Sequence, residues 1–148
     1  MKQGFVKVAS ATPRIRVADP VYNAQVICEQ AKEAAEHGAK IVVFPELCIT
    51  GYTCNDLFLQ ELLLEKAKEA LLTIAEETGQ LETLFLVGLP VDKDGRLYNV
   101  AAVLYRGRIL GMIPKKNIPM YAEFYEGRHF TPGEETVTEY RLGKQVPV

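Results

Sequence analysis

The feature that most constrains this chain is a helix-period segment that leads directly into a short apolar run. Ala24, Ile27, Cys28, Ala31 and Ala35 recur at helical spacing, and Ala39 to Phe44 (AKIVVF) follows at once. An apolar run of that length is the pattern of a strand covered on both faces. The helix carries its own punctuation. Asp19 offers an N-cap, Pro20 fills the first helical position where a missing N–H costs nothing, and Gly38 supplies a left-handed residue at the end. Upstream, Phe5 to Ala11 (FVKVASA) alternates and is rich in β-branched or small residues, which predicts a first strand. Two strands joined through a helix make a β-α-β unit with a parallel pair.

The rhythm continues and then changes. Leu59, Leu62, Leu63, Ala67, Ala70, Leu71 and Ile74 mark a second amphipathic helix ending near Gly79, and Leu84 to Leu89 (LFLVGL) reads as the next buried parallel strand. Asp92-Lys93-Asp94-Gly95 and Arg106-Gly107 are turn signals flanking Leu97 to Tyr105 and Ile109 to Ile113, so antiparallel hairpins follow. Pro114 to Pro132 has no sustained period and is too aromatic for disorder, and reads as an ordered functional loop. Val137 to Leu142 and Val146 to Val148 look like the start of two further strands.

Composition excludes several function classes. With 148 residues, 48% hydrophobic and 24% charged, the chain is one globular domain or a large piece of one. A net charge of −2 supplies no basic stripe, so nucleic acid is not an expected partner. No segment has the apolar length that a bilayer span needs, and the opening residues lack the pattern of a secretory signal; no membrane partner and a cytoplasmic location are expected. Three cysteines at spacings that match no metal framework read as reduced thiols, and no metal site is predicted.

Chemistry concentrates at strand ends. Glu46, in Phe44-Pro45-Glu46-Leu47-Cys48, follows a buried parallel strand at the edge where ligand crevices form. Beside Phe44 and Leu47 its carboxylate would be partly desolvated and suited to proton abstraction, although strand-end glutamates often only cap helices or meet solvent. Lys115, between Pro114 and Pro119 and again directly after a strand, could stabilise an oxyanion or be half of a solvated lysine pair. In Tyr121 to Phe130 (YAEFYEGRHF), Glu126 could hold Lys115, and Tyr121 or Phe124 could wall a pocket; an aromatic plug is the other reading of Phe124 and Phe130. His129 reads as a surface or interface residue and His37 as a helix C-terminal cap. Cys28 reads as core and Cys54 as a packing residue. Cys48 lies on the same side as Glu46 if the chain is still extended there.

Pro45-Glu46-Leu47-Cys48-Ile49-Thr50-Gly51-Tyr52, followed by a Pro-Lys loop after two hairpin strands, resembles the nitrilase, or carbon–nitrogen hydrolase, superfamily. Gly51-Tyr52-Thr53-Cys54-Asn55-Asp56-Leu57-Phe58 and Tyr121 to Arg128 resemble, more narrowly, the amidase domain of glutamine-dependent NAD synthetases. The resemblance covers the whole chain and implies the α/β fold of that superfamily, an α-β-β-α sandwich, present here only in its N-terminal part. It implies a Glu-Lys-Cys triad in which Glu46 is the general base and Lys115 the oxyanion stabiliser, with Tyr121 and Tyr52 at the glutamine site and Glu126 orienting the triad. It gives Cys48 no nucleophilic role, and the nucleophilic cysteine of that family follows a later strand, whereas no cysteine follows Cys54 here. Residues 1–148 are therefore expected to be the front of a glutaminase domain, ending before the nucleophile, inactive alone and without a second domain. The partners so implied are glutamine, the rest of the domain, a synthetase domain and further copies of the chain. No cofactor is expected on this chain; ATP and Mg²⁺ would belong to the synthetase domain. A stand-alone amidase or carbamoylase of the superfamily, or a non-catalytic association fragment, is the alternative.

Overall fold

The computed structural model describes residues 4–142 and 146–147. Strands β1 (Val8–Ser10), β2 (Ile41–Val43), β3 (Leu84–Lys93), β4 (Arg96–Tyr105) and β5 (Arg108–Pro114) form one sheet in sequential order. The first three run parallel and the last two antiparallel, so the sheet is mixed. Helices α1 (Pro20–Glu36) and α2 (Glu61–Glu77) are the crossovers between the parallel strands.

Local chemistry accounts for these boundaries. Asp19 Oδ1 accepts from the Tyr22 amide at 3.1 Å, and Gly38 follows α1 at φ +82°. His37 points a ring nitrogen at the Glu33 carbonyl, 2.8 Å away, so the ring N–H adds a second donor at the helix end to a carbonyl that already accepts from the His37 amide. Both hairpin turns hold two central residues at positive φ: Asp94 and Gly95, then Arg106 and Gly107. This is the turn geometry that matches the twist of paired strands.

Val42, Phe85, Val87, Leu89, Val100, Ala102 and Leu104 share one face of the sheet by register, and they join Ile27, Ala31, Leu71 and Ile74 of the helices in one core. The two helices pack on that face. On the opposite face Val8, Val43 and Ile113 are exposed, and Ile41, Leu84, Leu86 and Val103 are only half-buried. One helix layer on one sheet, with an apolar face turned outward, is one α-β half of the sandwich that the resemblance implied.

Several expectations shift. The first strand is three residues rather than seven, and Phe5 and Val6 are exposed. The second helix starts at Glu61, since Leu59 ends a 3₁₀ stretch, Tyr52–Leu59, kinked at Asn55. Leu59 and Leu62, expected in the apolar stripe, are both exposed. Of Val137 to Leu142 only Arg141–Leu142 is strand (β6), paired with Val146–Pro147 (β7); Val137 is fully exposed. The part of the last expected strand at Val148 lies outside the described residues.

Candidate active site

Glu46 leaves the end of β2 in a tight turn that doubles back on β3. Leu47 takes φ +52°, the amides of Thr50 and Gly51 donate to the Leu47 carbonyl, and the Ile49 amide donates to the Gly88 carbonyl. Gly88 makes this approach possible. A Cβ there would stand 2.4 Å from the Leu47 nitrogen and 2.7 Å from the Pro45 oxygen, closer than real atoms come. The turn also corrects the extended reading of Cys48: its thiol faces inward, 3.6 Å from the Gly88 carbonyl, away from a shared side with Glu46.

Lys115 emerges from the end of β5, with β3 and β4 between it and the strand that leads into Glu46. Its amide donates to the Asn99 carbonyl on β4, and its own carbonyl accepts from Gly133, so its backbone is held from both sides. Its ammonium lies 2.7 Å from Glu46 Oε1 and 3.0 Å from both oxygens of Glu126. An ammonium has three protons. One meets Glu46, one is shared by the two Glu126 oxygens, and among the described residues no further acceptor takes the third, which leaves a charged donor directed at whatever enters. Burial on its own would lower the Lys115 pKa, but the hydrogen bonds and charges of Glu46 and Glu126 outweigh it and hold the pKa above the ordinary lysine value. Lys115 stays charged across the neutral range.

Glu126 is buried, in the 3₁₀ turn Glu126–Arg128. A buried carboxylate needs partners, and the Tyr52 hydroxyl supplies another by donating at 2.8 Å. Burial and then the negative neighbour Glu126 push the Tyr52 pKa up, so the phenol keeps its proton. The structure thus brings together four of the five expected site residues: Glu46, Lys115, Glu126 and Tyr52. Tyr121 is not in this network. It is exposed, packed edge-on against Phe124 at 5.6 Å.

Around the network the 3₁₀ stretch and the loop before Phe130 enclose a cleft of about 440 Å³, lined by Tyr52, Asn55, Asp56, Glu123, Tyr125 and Glu126 among others. Glu46 and Lys115 border it through Glu126 and Tyr52 without lining it. The cleft walls are clamped together by Asp56, which accepts two parallel hydrogen bonds from Arg128 and one from His129 Nε2, all at 3.0 Å. These hold the Asp56 carboxyl below the usual carboxylate range, His129 first and Arg128 second. The sequence places His129 at a surface or an interface. Its side chain is instead largely covered, edge-on to Phe58 and Phe130, because the imidazole completes an aromatic cluster while its nitrogen reaches Asp56. Phe130 is buried against Phe58, as a plug would be, whereas Phe124 is only half-buried.

No cysteine joins the pair. Cys28, Cys48 and Cys54 are all buried. Burial pushes the thiol of Cys28 up to about 11 and that of Cys48 to about 12, and raises that of Cys54. Such thiols are inert. Among the described residues no group of three or more His, Cys, Asp and Glu side chains is placed to hold a metal, and no helix is long and apolar enough to cross a membrane.

Two contributors escaped the sequence reading. Asn99, in the middle of a strand that alternates apolar and small residues, donates its side-chain amide to Glu46 Oε1. Gly88, inside an apolar run, admits the Glu46 turn. The only signals were an unsupported amide in a strand and a glycine in another, and both are features that mark close backbone approach or buried polar contacts.

The same chain resembles known proteins along almost its full length. The glutamine-dependent NAD(+) synthetase of Mycobacterium tuberculosis is 39% identical over 142 residues, which are 96% of this chain and 21% of that protein. That of Thermotoga maritima is 36% identical over 91% of this chain and 23% of its own length. The chain spans 20% to 27% of the curated relatives from Mycobacterium and Acinetobacter baylyi. Among solved structures, the glutamine-dependent NAD(+) synthetase from Cytophaga hutchinsonii superposes with a TM-score of 0.88 at 28% identity, covering 96% of this chain and 24% of that one. An amidase from Nesterenkonia sp. shares the fold, with a TM-score of 0.71 at 24% identity over 92% of this chain and 51% of its own. Residues 7–146 match the carbon–nitrogen hydrolase family, and the chain belongs to it.

Proposed function

We propose that this chain forms the amino-terminal part of a glutaminase domain that supplies ammonia to a glutamine-dependent NAD synthetase. One observation carries the reading: the Lys115 ammonium sits between Glu46 and Glu126, beside a cleft that Glu126 and Tyr52 line, with a proton to spare. The identities of 34% to 39% to synthetases support the substrate class.

In this reading a cysteine thiol from outside these residues attacks the side-chain amide of glutamine. Glu46 takes the thiol proton, the new C–S bond forms, and the carbonyl oxygen becomes an oxyanion that the spare Lys115 proton meets. Glu46 then hands the proton to the departing nitrogen; ammonia leaves and a thioester remains. Water, deprotonated by Glu46, releases glutamate and restores the thiol. Glu126 and Tyr52 keep Lys115 in place, and the ring of Tyr52, which lines the cleft, borders the substrate. Released ammonia would aminate deamido-NAD in a synthetase domain elsewhere in the protein. These residues contain no phosphate-cradling glycine-rich loop, so ATP and Mg²⁺ would be held by that other domain. A cytoplasmic setting is part of the proposal, and three buried thiols suit a reducing compartment.

The test is glutamate release from glutamine, measured on the 148-residue chain and on the full-length protein encoded around it. The full-length protein should hydrolyse glutamine and form NAD from deamido-NAD, and Glu46→Gln and Lys115→Met should each abolish hydrolysis. The chain alone should show none. Turnover by the chain alone, or a full-length protein that hydrolyses other amides and makes no NAD, would overturn the reading; the second result would indicate a stand-alone amidase.

A further inference from the structure

Glu46 has two carboxylate oxygens, and the fold treats them differently. Oε1 receives the Lys115 ammonium at 2.7 Å and the side-chain amide of Asn99. Among the described residues, no donor reaches Oε2. We propose that Asn99 is a positioning residue for the base: with Lys115 it anchors Oε1, so that Oε2 alone carries the free lone pairs and faces the incoming nucleophile. This rests on the role given to Glu46 above and adds which of its atoms moves the proton.

Asn99 is suited to the task. It lies on β4 at a position facing Pro90 of β3, and it is buried between apolar neighbours. A buried amide is retained at such a place only with a partner. The orientation of its amide follows from chemistry, because a carboxylate only accepts, so the NH₂ end must face Glu46. The Asn99 carbonyl also accepts from the Lys115 amide at 2.8 Å. One residue therefore positions the base through its side chain and the lysine through its backbone. Without the Asn99 donor, Lys115 alone would hold Oε1, and a single hydrogen bond leaves a carboxylate free to rotate and swap oxygens. The carboxylate would then spend part of its time with both oxygens engaged by the ammonium, the geometry of a plain ion pair rather than of a base.

The experiment uses the full-length protein with glutamine as substrate, in four forms: unmodified, Asn99→Ala, Asn99→Asp and Glu46→Gln. Asn99→Asp keeps the shape of the side chain and guards against a packing defect in the alanine form. Both Asn99 variants should lower kcat by on the order of tenfold to a hundredfold, within the contribution of a positioned base, with KM changed by less than about twofold, since ground-state binding is not touched. The acid limb of kcat/KM should also move to higher pH in Asn99→Asp, where a second carboxylate faces Glu46 amid Lys115, Glu126 and Tyr52, and two carboxylates that share a site retain a proton. An unchanged kcat in both variants, or a fall in kcat matched by a rise in KM with an unmoved pH profile, would overturn the inference. Glu46→Gln separates the two levels: if it is fully active, the role of Glu46 itself fails, whereas an inactive Glu46→Gln beside normal Asn99 variants removes only the inference about Asn99.

Discussion

Glu46 reaches Lys115 because Gly88 has no side chain. The turn after β2 rests on the β3 backbone at a distance no Cβ would permit, and that contact sends the glutamate toward the sheet end while it turns Cys48 into the core. The same burial makes Cys48 a reporter of the folded state. An unfolded thiol ionises near 9.0, whereas burial holds the folded one protonated up to about 12. Between those values the folded chain binds more protons than the unfolded chain, so stability falls as pH rises, by about 1.4 kcal/mol per pH unit per group in that window. Cys28, raised to about 11, acts with the same sign, as does Lys115, whose raised pKa marks a contribution lost at high pH. Urea denaturation of the chain from pH 8 to 11 should show this alkaline loss, and Cys48→Ala should flatten it while lowering stability at neutral pH through the cavity it leaves. An identical slope with and without the thiol would show that Cys48 is not the proton-linked group.

Between elements, the cleft depends on two short 3₁₀ pieces that share no backbone hydrogen bond. Tyr52 to Glu126, and Asp56 to Arg128 and His129, join the stretch Tyr52–Leu59 to the turn Glu126–Arg128. Asp56 and Arg128 are exposed, so their pair adds little to global stability and is weakened by salt. Its effect is local. Asp56→Ala should leave the thermal midpoint nearly unchanged yet accelerate amide hydrogen exchange across Tyr121–Phe130, with high salt loosening the unmodified chain in the same direction. Equal protection in both forms would mean that the aromatic cluster of Phe58, His129 and Phe130 holds the loop unaided. This clamp also marks where sequence reading ran out. The β-α-β unit, both hairpins, the α1 cap and the strand-end positions of Glu46 and Lys115 were legible, because each rests on local period or on turn chemistry. Asp56, Asn99 and the covered side of His129 were not, since each acquires its meaning from a partner 53 to 73 residues away. The exposure of Leu59 and Leu62 was missed for a related reason: helical spacing identifies a stripe but not where the neighbouring layer stops.

At the scale of the molecule, the sheet has one covered face and one open face. Period-two alternation ordinarily places polar residues on a solvated face, yet here Val8, Val43 and Ile113 are exposed beside half-buried Ile41, Leu84, Leu86 and Val103. Register makes these a continuous patch: Val8 lies opposite Ile41, Ile41 opposite Leu84, Val43 opposite Leu86 and Leu86 opposite Val103. Apolar area of this extent, left in water, favours association at roughly 25 cal/mol per Å² removed. As a separate 148-residue chain the protein should therefore self-associate in solution through this face. Sedimentation velocity over a range of micromolar concentrations should show species larger than 16.5 kDa that grow with concentration. Replacing Val43 and Ile113 together by lysine should shift the distribution toward monomer, because two like charges on one face repel in a paired copy and neither side chain is needed by the helix-side core. The helical circular-dichroism signal should stay as it was, which separates lost association from lost folding. A chain that sediments as monomer at every concentration, or a double variant that associates as strongly as the parent, would show that this face is not what brings copies together.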